Sequence, residues 1–237
     1  MGCSTGPALI SIINNPQSLV TALDVSNSKC YTGGNVLFNL ANNTLNFTNE
    51  TGGNYVTTSQ INGHVGNGYA TPTTNILNTD FHSIFFKVRF NSTGSYPQSY
   101  TGAWDKIFGF DASSDRSPGI WRFPNSRYIH WRYDPSNSGC DFGVNSAGNE
   151  FALNTWYFVG VTKNGASTAM YVNGNQVGTG TVSYPKASGS APIRLFGGYS
   201  GNKENITSLN NLYIFNTVLT SVEVKDLYDT LRPQLGI

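Results

Sequence analysis

Between residues 83 and 90 the chain reads SIFFKVRF. Ile84, Phe86, Val88 and Phe90 alternate there with Phe85, Lys87 and Arg89. A period of two is that of a β-strand with one buried face. TWYFVGVTK repeats the pattern with Tyr157, Val159 and Val161 on one side, and TAMYVNG, NQVGTGTV, IRLFGGY and NLYIFNTVL follow as further strands. Clusters of Gly, Asn, Pro and Ser such as NSTGSYPQS, DASSDRSPG and DPSNSG separate the apolar runs and read as loops. Asn173-Gly174 joins two of the strands, and this pair suits a two-residue type I′ turn because both central positions need positive φ. Strands at this spacing, without helices between them, predict an all-β sandwich or jelly roll.

One segment breaks the pattern. In LTSVEVKDLYDTL, Thr220 is placed to cap a helix with Glu223 three residues on, and Val224, Leu227, Tyr228 and Leu231 fall on one face. The spacing predicts an amphipathic helix of two or three turns that Pro233 stops. No composition break or repeat divides the chain, so residues 21–237 are expected to form one domain. Residues 1–20, the least strand-like stretch, are expected to form an arm or edge segment.

Composition narrows the function classes. With 38% apolar residues, 11% charged residues and a net charge of +1 over 237 residues, the chain offers no electrostatic case for nucleic acid or an anionic membrane. No apolar run approaches the ~18 residues of a membrane-spanning helix. The opening MGCSTGPALISIINN lacks the basic stretch of a secretory signal. Cys3, Cys30 and Cys140 are far apart and imply neither a zinc ribbon nor a disulfide framework, although one bridge such as Cys3 to Cys30 is compatible with them.

The run from Trp156 to Gly178, WYFVGVTKNGASTAMYVNGNQVG, joins a Trp-led strand, a turn, a second strand and YVNG. It resembles the laminin-G-like, or concanavalin A-like, β-sandwich family. LNNLYIFNTVLTSVEVKDLYD is similar to that family's late strand and helix. VTALDVSNSKCYTGGNVLFNLANNTLNF resembles the opening of such domains in tailed-bacteriophage proteins, where L-D-A-x-N-x-x-S-Y precedes D-L-S-G-N-G-N. Asp24, Asn27 and Tyr31 agree with that phrase, Val25 replaces its small residue, and NLANNTLNF lacks its glycines. FGFDASSDRSPGIWRFPNSRYIHWRYD also resembles the phage version. The resemblance implies a jelly roll of two antiparallel sheets with a short C-terminal helix, carried on the surface of a virion. Its implied partners are other virion proteins of capsid or tail and further copies of itself.

The superfamily includes β-glucanases, which take paired carboxylates from a Glu-x-Asp-x-Glu strand. This chain has four glutamates, Glu50, Glu150, Glu204 and Glu223, and none lies in such a motif. Its three histidines, His64, His82 and His130, show no pairing with a cysteine nucleophile. A non-enzymatic protein is therefore expected. No cofactor and no metal is expected: many family members hold one structural Ca²⁺ at the rim, and Asp111 and Asp115, or Asp134 and Asp141, have suitable oxygens, but Asp and Ser are also ordinary turn residues. In RYIHWRYD, Ile129, Trp131 and Tyr133 are expected to face the core. Tyr128, His130 and Arg132, with Trp121 and Arg122 from the preceding strand, would then form an aromatic and cationic surface for a partner or a host glycan. The leading expectation is a virion structural protein, as capsid decoration or fibre component. The alternative is an adhesin for host-surface polysaccharide.

Overall fold

The computed structural model describes residues 16–50, 56–63, 68–74, 76, 79–92, 105–110, 118–122, 126–132, 151–182, 191–196 and 207–236. A 3-10 turn, Pro16–Ser18, leads into β1 (Leu19–Asp24), so the last residues of the stretch expected to be an arm join the first sheet, while residues 1–15 lie outside the described residues. The chain continues through β2 (Val36–Leu37), β3 (Phe47–Asn49), β4 (Ile61–Asn62), β5 (Tyr69–Ala70), β6 (Phe81–Phe90) and β7 (Asp105–Phe110). There follow β8 (Gly119–Arg122), β9 (Ile129–Arg132), β10 (Trp156–Asn164), β11 (Ser167–Val172), β12 (Asn175–Thr181), β13 (Ile193–Leu195), β14 (Thr207–Phe215) and the helix α1 (Ser221–Leu235). The first sheet runs β1-β14-β6-β10-β11-β12, with β4 on part of β14, and the second runs β2-β3-β5-β13-β7-β8-β9. The strand pairs are antiparallel, as the alternating, hairpin-rich sequence requires.

The core between the sheets contains Ile84, Phe86, Val88 and Phe90 of β6, Val159 and Val161 of β10, and Ile107, Phe108, Ile120, Ile129 and Trp131 of the facing sheet. Tyr157 packs half-buried against it. The alternation read from β6 and β10 is thus the observed one. In β7 a register shift between Lys106 and Phe108 lets the neighbours Ile107 and Phe108 both enter the core.

The expectation that β6 buries only one face needs correction. Phe85 is fully buried on the outer face, in a second apolar cluster with Phe158, Tyr171, Tyr213 and Phe215 beneath Val224, Leu227, Tyr228 and Leu231 of α1. The helix is a lid on the first sheet. Thr220 caps it by accepting from the Glu223 amide, while the Glu223 carboxylate accepts from the Thr220 amide at 2.8 Å. A cap of this kind contributes about 1 kcal/mol. Pro233 does not stop the helix. It lies in the last turn, where its missing N–H forfeits one bond, and the chain continues to Gly236, whose φ of 64° ends the helix with a bond to the Arg232 carbonyl.

Two glycines set how closely the helix approaches. Asn173 and Gly174 have φ of 50° and 76°, as the type I′ turn demands. Asn173 also accepts from the Phe158 amide through Oδ1 at 2.9 Å, which ties the turn to β10. A Cβ on Gly174 would lie 3.0 Å from Tyr228 of the helix. Gly160 stands directly opposite Phe85, and a Cβ there would fall 1.9 Å from the Phe85 ring. The ring therefore lies across bare backbone, stacked on Phe158 at a centroid distance of 5.7 Å.

Cys30 is a free, fully buried thiol rather than half of a Cys3–Cys30 bridge. Burial pushes it up to about 12, with a smaller opposing effect from the Asp24 amide that donates to its sulfur.

Gly160→Ala should cost about 1–3 kcal/mol through overpacking against Phe85. Adding Phe85→Leu should recover part of that loss in urea denaturation. Simple addition of the two costs would show that ring contact is not what keeps residue 160 a glycine.

Candidate functional site

The helix covers only part of the first sheet's outer face. Beyond its footprint, β6 presents Lys87 and Arg89, and β10 begins with Trp156, the direct partner of Arg89. The Lys87 ammonium lies 4.8 Å and the Arg89 guanidinium 4.9 Å from the centroid of the Trp156 ring. Each such contact contributes about 0.5–1 kcal/mol where solvent reaches it, and more where it does not.

Backbone irregularity completes the site. Between the pairs Val88–Leu209 and Phe86–Leu212, β6 has one residue, Lys87, where β14 has two, Asn210 and Asn211. This bulge brings Asn210 beside Lys87 and Arg89 in a depression of about 300 Å³, which Ser26, Thr58, Ser59, Gln60 and Trp156 also line. Asn210 is fixed by donating to the Ser59 carbonyl.

Arg89 donates from Nε to Asn91 Oδ1 and from Nη2 to Gln60 Oε1, both at 2.8 Å. Asn91 in turn donates to Ser208 Oγ, which donates to Asn62 Oδ1, so a relay of neutral side chains holds the guanidinium in place. Lys87 is 7% exposed. Burial lowers its proton affinity from the ordinary lysine value, Asp24 acts the other way, and Arg89 lowers it further. Asp24 itself accepts from the Ser26 amide and hydroxyl. A second depression on this face, about 660 Å³, lies beside the start of α1 and is lined by hydroxyls from Thr162, Ser167, Thr168, Thr179, Thr181 and Thr220, with no charged residue.

The surface expected from the sequence is arranged differently. Trp121 and His130 are direct partners across β8 and β9 and do share a side, but they are 4% and 3% exposed rather than solvated, and the Lys106 ammonium lies 5.6 Å from the Trp121 ring centroid. Arg122 does not join them. It pairs with Ile129, whose side chain is in the core, and is fully buried, donating from Nη1 to the Ser126 carbonyl at 2.8 Å. A two-residue period makes this unavoidable, since Arg122 follows Ile120 by two. Tyr128 is half-buried, its amide donating to Ser126 Oγ. Arg132 is placed in β9 opposite Gly119, while its side chain lies outside the described residues. Tyr133 also lies outside them, whereas Ile129 and Trp131 are in the core as expected.

Two of the glutamates have structural work. Glu50 forms a forked ion pair with Arg194, at 2.8 Å to Nη2, and Glu223 belongs to the helix cap. Glu150, Glu204 and the four aspartates considered for Ca²⁺ lie outside the described residues. Among the described residues, no three metal-ligating side chains converge.

A family model for the concanavalin A-like lectin/glucanases superfamily matches residues 62–225. The chain belongs to that superfamily. Comparison with curated proteins gives no match. Among solved structures, this concanavalin A-like domain is similar to Trypanosoma rangeli sialidase in complex with sialic acid, with a TM-score of 0.65 and 15% identity over 92% of this chain and 33% of that one. It is similar too to botulinum neurotoxin type C, in a structure concerned with two ganglioside molecules, with a TM-score of 0.65 and 16% identity over 93% of this chain and 53% of that one. The separate serotype C1 binding domain gives a TM-score of 0.60 at 16% identity, over 92% and 53% of the two chains. The chain thus spans about a third of the sialidase and about half of the neurotoxin chains. At these identities the likeness is one of fold.

A double-mutant cycle with Arg89→Gln and Trp156→Leu should give a coupling of about 0.5–1 kcal/mol in urea denaturation. Strictly additive losses would show that the stacked arrangement contributes nothing.

Proposed function

We propose that this chain is a non-enzymatic carbohydrate-recognition domain displayed on the outside of a phage particle. The observation that carries the recognition role is the depression around Trp156, where an indole, two cations and several amide and hydroxyl groups meet on a rigid sheet. Sugars present apolar C–H faces and many hydroxyls, and a recognition site of this composition can meet both. Its position on paired strands, beside a bulge, holds the groups in fixed relative geometry.

Membership of a lectin and glucanase superfamily supports this reading. So does the bound sugar in the sialidase structure and the ganglioside interaction named for the neurotoxin. The non-enzymatic part rests on the sequence, in which no glutamate lies in a Glu-x-Asp-x-Glu strand, and is supported by the engagement of Glu50 and Glu223 elsewhere. The particle surface rests on the resemblance of residues 20–47 and 108–134 to phage versions of the domain.

A purely architectural role, as capsid decoration or fibre component, draws on a different feature. Among the described residues β12 ends the first sheet, is seven residues long and uncharged, and exposes most of its side chains. An edge of this kind suits pairing with another copy or a neighbouring virion protein.

A glycan array probed with the purified full chain separates the two. Selective binding is expected, with Trp156→Ala losing it while keeping a cooperative thermal transition. Absence of selective binding by the wild-type chain would favour the architectural role. Equal binding by Trp156→Ala would move recognition away from this depression.

A further inference from the structure

Resting on the carbohydrate reading, we propose that the saccharide is acidic, its carboxylate or sulfate seated on the open edge of Arg89. Three cations elsewhere in this protein have acidic partners: Lys163 lies 3.0 Å from Asp80, Arg194 is forked to Glu50, and Lys225 meets Asp229. Arg89 does not follow them. Its hydrogen-bond partners are the neutral side-chain oxygens of Asn91 and Gln60, and its third contact is the Trp156 ring.

Those two bonds use two of the five N–H donors of a guanidinium. The bonds to Asn91 and Gln60 and the contact with Trp156 fix the plane of the group, so little side-chain entropy is left to lose when an anion docks. A fork held in this way suits two-point recognition of a planar carboxylate or of sulfate oxygens. Lys87 stands next to it on the same face, and the described residues that line the depression include two cations and no acid.

Asp24, whose charge acts on Lys87, is a single carboxylate that also accepts from the Ser26 amide and hydroxyl, so it offsets at most one of the two cations. An anion entering the depression therefore meets a local positive field in a chain whose net charge is only +1. Burial already disfavours the charged form of Lys87, and a bound anion would relieve that cost. The hydroxyl-lined depression beside α1 lacks any charge, so it provides no comparable reason to select an acidic sugar.

The test is calorimetric titration of the full chain with three matched probes: an oligogalacturonate, the same oligomer after reduction of its carboxyls to the neutral sugar, and a sulfated galactan oligosaccharide. At least one acidic probe should bind about tenfold or more tightly than the neutral one at low salt, with the advantage shrinking as NaCl rises past ~0.15 M. Carboxylate preference and sulfate preference are told apart by which acidic arm is tighter. Arg89→Gln should abolish the advantage, and Arg89→Lys, which keeps the charge but not the fork, should retain only part of it.

Equal affinity for neutral and acidic probes would overturn the inference and leave carbohydrate recognition standing. An acidic preference that survives in both Arg89 variants would overturn it by placing the anion elsewhere. Failure of all three probes, with selective binding to neutral sugars on the array, would also overturn it alone. Failure of every saccharide in both experiments would remove the carbohydrate reading with it.

Discussion

The ring of Phe85 lying across the bare backbone of Gly160 is the contact on which the outer architecture depends. A side chain at residue 160 would lift the ring, and the ring supports Phe158, Tyr171 and Phe215, which in turn support the helix. Where α1 lies over it, the first sheet is thus buried on both faces, one against the second sheet and one against the helix. An aromatic layer on the outer face of a sheet is unfavourable unless something covers it. The capped helix supplies that cover, and its register is fixed by the close approach of Tyr228 to Gly174.

The helix footprint also decides where function can sit. It ends before Lys87, so one strand passes from a buried aromatic to a buried lysine to a partly exposed arginine within five residues. A cationic pair against an indole replaces hydrophobic cover where the helix is absent. Lys87 carries a desolvation penalty there, which is the kind of local cost that binding sites retain when the charge has a use.

Most of the fold was legible because its signals are local. Alternation in β6 and β10, the Asn-Gly turn and the Thr220–Glu223 box each lie within a few residues, and each fixes a dihedral preference or a face. The outer layer was harder, because Phe85, on the face it shares with Ser83 and Lys87, looks like one stray apolar residue until the helix is placed over it. Arg122 was misgrouped with Trp121 although strand periodicity places them on opposite faces. The Trp156 site escaped for a different reason: its parts come from β6, β10, β14 and two loops, and their meeting depends on strand register and a bulge. Lys87 and Arg89, two cations alternating with Phe86, Val88 and Phe90 in a central strand, were the visible clue.

The central claim is that recognition belongs to the uncovered half of the first sheet. The four indole N–H signals in a ¹⁵N-correlated spectrum, assigned by single Trp→Phe substitutions and followed through titration with an oligosaccharide selected on the array, test it most directly. Trp156 should shift in a saturable way while the core indole of Trp131 stays fixed. A saturable shift confined to Trp121 or Trp104, with Trp156 unmoved, would contradict the account.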